Sequence, residues 1–297
     1  MAAPKIVDFK TYDGLKLVAT LYSAGERRPC IIMTQGFSGL REHFLPDFAM
    51  RFQSAGYTTL IYDNRCWGDS EGTPRNQVDP LLQTRDYLDA FNYACSLPDV
   101  DPTKIVYWGT SMSGGNAINA AAVNKSIKAV ITQVSFVSGE LASAGGDSSM
   151  LMGERASSSM GGSEPVRIPI FPSSREELQS GTSKAILQDA SGFDFTAELD
   201  RRGDKWEKTV TVQSVTYAAM HEPGAYIHRV SPASLLMVVA AKDIIVNTAK
   251  QLSVYQSALE PKRLHILQDA GHFDPYFGPR FEENIKVQLE FLSSIFG

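Results

Sequence analysis

Ile105-Val106-Tyr107-Trp108-Gly109-Thr110-Ser111-Met112-Ser113-Gly114-Gly115 runs a short apolar strand into a Gly/Ser turn, and Gly114 to Val123 then continues as a helix. Strand, tight turn and helix are the setting of a nucleophile elbow, where a serine sits on a strained turn with its hydroxyl above the sheet edge. The residues two positions either side of that serine must be small, or they would strike the flanking strand and helix. Gly109 meets the requirement, and Ser113 stands where a second glycine is usual but is itself small. A phosphate-binding loop at a helix N-terminus is the competing reading of such a segment. The Gly-Lys-Ser/Thr of a Walker loop is missing from it, however.

Outward from the elbow, short apolar strands alternate with helical runs. Lys5 to Phe9 and Leu15 to Tyr22 are β-like and are separated by the turn signal Asp13-Gly14. Cys30 to Met33, Thr58 to Tyr62, Lys104 to Trp108 and Ile127 to Val134 are expected as further strands. Compact apolar runs of this length suit strands buried on both faces of a parallel sheet. Helices are expected over Phe44 to Ala55 and, from the spacing of Leu81, Leu88, Phe91 and Cys95, up to Pro98. The alternation describes an α/β fold: a mostly parallel twisted sheet with helices on both faces. It stops near Phe136 and resumes with a strand at Leu235 to Ala240, a helix near Thr248 to Ala258, a strand at Leu264 to Leu267 and a helix from Phe281 to Ile295. The core is therefore read as 1–136 and 231–297, with 137–230 as an inserted cap that includes helical segments at Ser183 to Asp189 and Val212 to Met220. Ser157 to Gly162 reads as a mobile loop.

Two residues in the resumed part complete a catalytic set. Asp243 follows the strand Leu235 to Ala240, and His272 follows the strand Leu264 to Leu267. Open α/β sheets build their sites outside the carboxyl ends of their strands, so Ser111, Asp243 and His272 should converge in the order Ser, Asp, His. Asp269 and Asp274 flank His272 and are rival acids, better read as loop-capping or solvated residues. His265 is read as core, and His43, His221 and His228 as remote from the chemistry. The backbone N–H groups of Met112 and of Phe37, in the loop Gln35-Gly36-Phe37-Ser38-Gly39, are the expected oxyanion donors.

Bulk properties narrow the function classes. With 28 Lys and Arg against 33 Asp and Glu, the net charge is -5 and no basic run exceeds two residues, which argues against nucleic acid. There is no long apolar stretch of membrane-spanning type and no signal-peptide pattern at the N-terminus. Three cysteines cannot all pair, and none has metal-type spacing. A cytoplasmic protein with free thiols is the resulting expectation. The chemistry calls for no metal and no cofactor.

Ile61 to Ser70 resembles the Asp-x-Arg-Gly-x-Gly-x-Ser segment of α/β hydrolases, with Cys66 in place of a glycine. Met33-Thr34-Gln35-Gly36-Phe37, the run Gly72 to Pro80 with its Pro74-Arg75-Asn76, and the elbow itself resemble the fungal polyketide-transferase-like hydrolases. Gln35 departs from the His-Gly of many relatives. The resemblance implies a serine-dependent hydrolase or acyltransferase of secondary metabolism. Its substrate would be a polyketide-type thioester or ester, carried on Ser111 and delivered by an acyl-carrier domain of a polyketide synthase. Arg65, Arg75 and Arg155 are the local cations that could meet a carrier. Gln35, Phe193, Tyr217 and Met220 are candidate substrate contacts, with Met150, Met152, Phe171 and Phe195 as further apolar candidates in the cap. A same-fold cyclase or lyase, and a non-catalytic binding protein, are the alternatives; oligomeric state is open.

Overall fold

The computed structural model describes residues 2–143, 148–159, 164–204 and 206–297, without the side chains of Ser143, Ser148, Met150 and Ser159. Eight strands form one sheet: β1 (Lys5–Lys10), β2 (Lys16–Tyr22), β3 (Arg28–Thr34), β4 (Thr58–Tyr62), β5 (Val100–Thr110), β6 (Ala129–Gln133), β9 (Ser234–Ala240) and β10 (Lys262–Leu267). Their order is β1-β2-β4-β3-β5-β6-β9-β10; β2 pairs antiparallel to β1 and β4, and all other pairs are parallel. Successive side chains of a strand point to opposite faces, so each central strand must supply two cores. Ile31, Met33, Val106, Trp108, Leu236 and Val238 fill one of them, against helices α1 (Leu45–Ser54) and α10 (Gly278–Phe296). Cys30, Ile32, Ile105, Tyr107, Leu235 and Met237 fill the other, against α2 (Pro80–Ser96) and α3 (Met112–Val123). That double burial is the reason these strands read as uninterrupted apolar runs.

Helix α2 begins at an Asp79 N-cap, whose carboxylate accepts the Leu81 and Leu82 N–H groups. Its buried face differs from the expected stripe. Leu81 is 60% exposed, while Gln83, Thr84, Asp86, Tyr87, Ala90 and Ala94 are buried. Polar residues face inward at the amino end because they meet polar partners there. Asp86 takes Arg65, and Gln83 takes Asn116.

Between β6 and β9 the chain leaves the sheet and forms short helices α4 (Glu140–Ser143), α5 (Ser148–Ser159), α6 (Arg175–Ser180), α7 (Ser191–Arg201) and α8 (Gln213–Ala219). A small antiparallel pair, β7 (Arg167–Pro169) with β8 (Thr209–Thr211), lies among them, and α9 (Thr248–Ser257) follows β9. The expected helix over Ser183 to Asp189 does not form. The Ile186 and Leu187 N–H groups bond sideways to the carbonyls of Pro169 and Ile170, and the Ser183 hydroxyl captures the Ala185 N–H. Ser157 to Ser159, expected in a loop, end α5, and 160–163 lie outside the described residues. His265, expected in the core, is 27% exposed on edge strand β10 and meets Glu283 at 3.1 Å. No helix among the described residues is long and apolar enough to cross a membrane.

The run Gly72 to Pro80 ties the sheet to this excursion. The Asn76 carbonyl accepts the Thr211 N–H, its side chain donates to the Thr209 carbonyl, and the Ser214 hydroxyl accepts the Val78 N–H. Arg65 does not reach outward: it is buried and engages Asp86 and Asp13. Arg75 is spent on the carbonyls of Ser70 and Gly68. Arg65 is thus held inside the chain, whereas Arg75 stays partly exposed while it braces its own loop. Arg155 is exposed and donates to Gln213.

Candidate active site

Strand β5 ends at Thr110 and α3 begins at Met112, leaving Ser111 at φ 52° and ψ -122°, a conformation that side chains rarely adopt. Its backbone is held on every side: its N–H donates to the Gln133 carbonyl at 3.0 Å, and its carbonyl accepts from Phe136 and Gly114. A side chain at position 109 would put Cβ 2.2 Å from the Ser113 carbonyl oxygen, so only glycine fits there. Ser113 contributes more than small size. Its hydroxyl donates to the Thr34 carbonyl at 2.7 Å and accepts the Thr110 N–H at 2.9 Å, stitching the turn to β3.

His272 Nε2 lies 3.0 Å from Ser111 Oγ, and His272 Nδ1 lies 2.8 Å from Asp243 Oδ2. All three residues are buried. A carboxylate only accepts, so Nδ1 carries the ring proton and Nε2 faces the serine as the acceptor. The other carboxylate oxygen of Asp243 accepts the Ile245 and Val246 N–H groups, both at 3.0 Å, which orients the acid. The rival acids are occupied elsewhere. Asp269 is exposed and pairs with Lys242, which holds its carboxyl below the usual carboxylate range. Asp274 accepts the Gly271 N–H at 2.7 Å, bracing the turn before His272.

The loop after β3 presses close against the serine. A Cβ on Gly36 would lie 2.8 Å from Ser111 Cβ and 2.9 Å from the Thr110 carbonyl oxygen. Gln35 braces this loop: its Oε1 accepts the Gly36 N–H, its Nε2 donates to the His43 carbonyl, and its own carbonyl accepts from Asn64. Its amide is thereby used inside the chain, although the residue also borders the cavity over Ser111. Met112 opens α3, where an N–H has no partner within the helix.

That cavity measures about 30 Å³, room for a few waters at most. Ser111, His272, Phe37 and Tyr276 line it from the sheet side of the chain, and Phe171, Leu187, Phe195 and Trp206 line it from the segment between β6 and β9. Phe195 packs on Phe273 at 4.8 Å and on Tyr276 at 5.4 Å, and Phe171 meets Trp206 at 6.0 Å. Burial pushes the Tyr276 phenol up, so it stays protonated. Of the proposed contacts, Gln35, Phe171 and Phe195 border the cavity; Phe193, Tyr217 and Met220 do not. Phe193 lies under the Arg175 guanidinium, and Met220 and Met152 are 76% and 61% exposed. The Met150 side chain is outside the described residues. Leu187, Trp206, Phe273 and Tyr276 also line the cavity and carry no chemical signature in the sequence; for Phe273 and Tyr276, nearness to His272 is the available signal. Among the described residues no group of three or more His, Cys, Asp or Glu is placed to hold a metal ion.

A mostly parallel α/β sheet with Ser, His and Asp gathered at the carboxyl ends of its strands defines a hydrolase-type fold. Residues 31–282 match the alpha/beta hydrolase family, and the chain belongs to it. It is 32% identical over 300 residues to a "Thiohydrolase" of Eupenicillium brefeldianum, a match covering 98% of this chain and 94% of that protein. It is 31% identical over 288 residues to "Polyketide transferase af380" of Aspergillus fumigatus, covering 96% of each. Among solved structures, the alpha/beta hydrolase GrgF from Penicillium sp. sh18 superimposes with a TM-score of 0.85 at 29% identity, covering 99% of both chains. The chain is thus an enzyme of the hydrolase and acyltransferase kind.

Proposed function

We propose that this enzyme takes an acyl group of polyketide type from a thioester or ester, carries it as an ester on Ser111, and delivers it to water or an alcohol. The observation that carries the reading is the continuous hydrogen-bonded line from Ser111 Oγ through His272 to Asp243 beneath an aromatic cavity. The names of the relatives, thiohydrolase and polyketide transferase, supply the substrate class.

His272 Nε2 accepts the Ser111 proton as Oγ bonds to the acyl carbon, and Asp243 stabilises the imidazolium that forms. The Phe37 and Met112 N–H groups receive the oxyanion, a contribution of roughly 3 kcal/mol per donor in such sites. The thiolate or alkoxide leaves with the proton from His272. Water or an alcohol then loses its proton to His272, attacks the ester and frees Ser111. A hydroxyl within the same acyl chain is a third acceptor and would make the enzyme a cyclase. Residues 137–230 act as the cap over this chemistry, and the acyl chain arrives on a carrier domain.

A fluorophosphonate probe tests the nucleophile. The wild-type protein should acquire one adduct on Ser111. Ser111→Ala should acquire none and keep less than about a thousandth of wild-type turnover while folding normally. An adduct mapped to another residue would overturn the assignment.

A further inference from the structure

Under the elbow lies a set of buried neutral polar side chains that no step of the proposed reaction uses. Gln133 ends β6, and Asn284 and Gln288 stand one turn apart on α10; all three are fully buried. Their hydrogen bonds run in one direction. Trp108 Nε1 donates to Gln288 Oε1 at 2.7 Å, and Gln288 Nε2 donates to Asn284 Oδ1 at 2.7 Å and Gln133 Oε1 at 3.1 Å. Asn284 Nδ2 donates to Gln133 Oε1 at 2.7 Å and to the Pro275 carbonyl at 3.2 Å. Gln133 Nε2 donates to Thr110 Oγ1 at 3.2 Å, and Thr110 Oγ1 shares a hydrogen bond with the Tyr276 hydroxyl.

Each amide taken from water without partners would cost a few kcal/mol, and a satisfied set does little better than close-packed apolar side chains. Aliphatic residues could therefore hold α10 to the sheet equally well. They could not supply directional bonds to two particular loops. The network ends on the residue before Ser111 and on the two residues that lie three and four positions after His272. Gln133 also receives the Ser111 N–H on its own carbonyl. Both halves of the Ser111–His272 pair are thus linked to one residue, through its backbone carbonyl on one side and its side-chain amide on the other.

We propose that Gln133, Asn284 and Gln288 are positioning residues that set the Ser111–His272 separation through Thr110 and the Pro275-Tyr276 turn. The inference rests on the acyl-Ser111 reading. Its force lies in the steep dependence of such reactions on geometry, where a displacement of about 1 Å costs roughly 100-fold.

The test compares Thr110→Val, which removes the hydroxyl at constant shape, Thr110→Ser, which keeps it, and Asn284→Leu, which breaks the network away from the serine. Turnover of p-nitrophenyl butyrate and the rate of fluorophosphonate labelling at Ser111 are read beside the thermal midpoint. Thr110→Val should lower kcat and the labelling rate together by roughly 10- to 100-fold with KM within about twofold, and Thr110→Ser should recover most of the loss. Asn284→Leu should lower kcat in the same sense. Folded Thr110→Val that works at the wild-type rate, or Thr110→Ser no better than Thr110→Val, would overturn the proposal even if Asn284→Leu fails to fold. Wild-type protein that is never labelled at Ser111 would instead sink the acyl-enzyme reading, and this inference with it. Labelled wild type beside unchanged variants sinks the network alone.

Discussion

Ser111 holds an unfavourable backbone conformation because hydrogen bonds on both its N–H and its carbonyl, and a glycine two residues before it, over-determine the turn. A residue so placed holds its hydroxyl 3.0 Å from His272 Nε2, which on the proposed mechanism spares any rearrangement at the moment of attack. Asp243 does comparable work one step back, since two backbone N–H groups aim its carboxylate at His272 Nδ1. Asp243→Asn should keep the fold but favour the wrong ring tautomer, lowering kcat by roughly 10³- to 10⁴-fold. Steady-state kinetics on Asp243→Asn, Asp269→Asn and Asp274→Asn distinguish the three acids, and a crippled Asp269→Asn beside an active Asp243→Asn would reassign the role.

Whole elements were legible in the sequence to different degrees. The central strands were readable because burial on both faces leaves no polar interruption, and the elbow because its glycine and small residues have one steric reason. The inward face of α2 was not, since Asp86 and Gln83 are buried by partners remote in sequence, Arg65 and Asn116. Nor was the irregular path of 183–189, where pairing with Pro169 and Ile170 overrides local propensity. The same remoteness hid Gln133, Asn284 and Gln288, which read as ordinary polar residues until α10 is laid on the sheet. His221 belongs to this class as well: it sits between α3 and the end of α8, stacked on Phe136, and a Cβ on Gly115 would lie 3.2 Å from its Nε2. Burial pulls its pKa down to about 4. The unfolded chain, near the ordinary value of about 6.5, therefore takes up the proton first as pH falls. Stability from this group is complete above that value and is lost as pH falls toward 4, by up to about 3 kcal/mol. Urea unfolding of wild type and His221→Phe at pH 7 and pH 4 should show the wild type losing more by that amount; parallel losses would contradict the assignment.

For the molecule as a whole, the decisive feature is a narrow, largely apolar cavity over Ser111. Phe171, Leu187, Phe195 and Trp206 line the space above Ser111 through which an acyl chain would pass. On the proposed mechanism, an aromatic lining would also limit the water that competes with an alcohol for the acyl-enzyme. Leu187 and Phe171 are the partly buried members of that group, and Leu187 is the smaller of the two. Leu187→Ala should raise kcat/KM for long acyl thioesters relative to short ones by roughly three- to tenfold, the scale set by a few methylenes in an apolar pocket. A chain-length series of N-acetylcysteamine thioesters measures that ratio, and an unchanged ratio would remove Leu187 from the acyl path. The central claim, a covalent acyl-Ser111 intermediate, is tested most directly by intact-protein mass spectrometry of the enzyme quenched during turnover of the same thioester series. The account predicts a mass increase equal to the acyl group, mapped to Ser111 and missing from Ser111→Ala. Turnover of these thioesters by Ser111→Ala at the wild-type rate, with no acyl adduct on either protein, would contradict it.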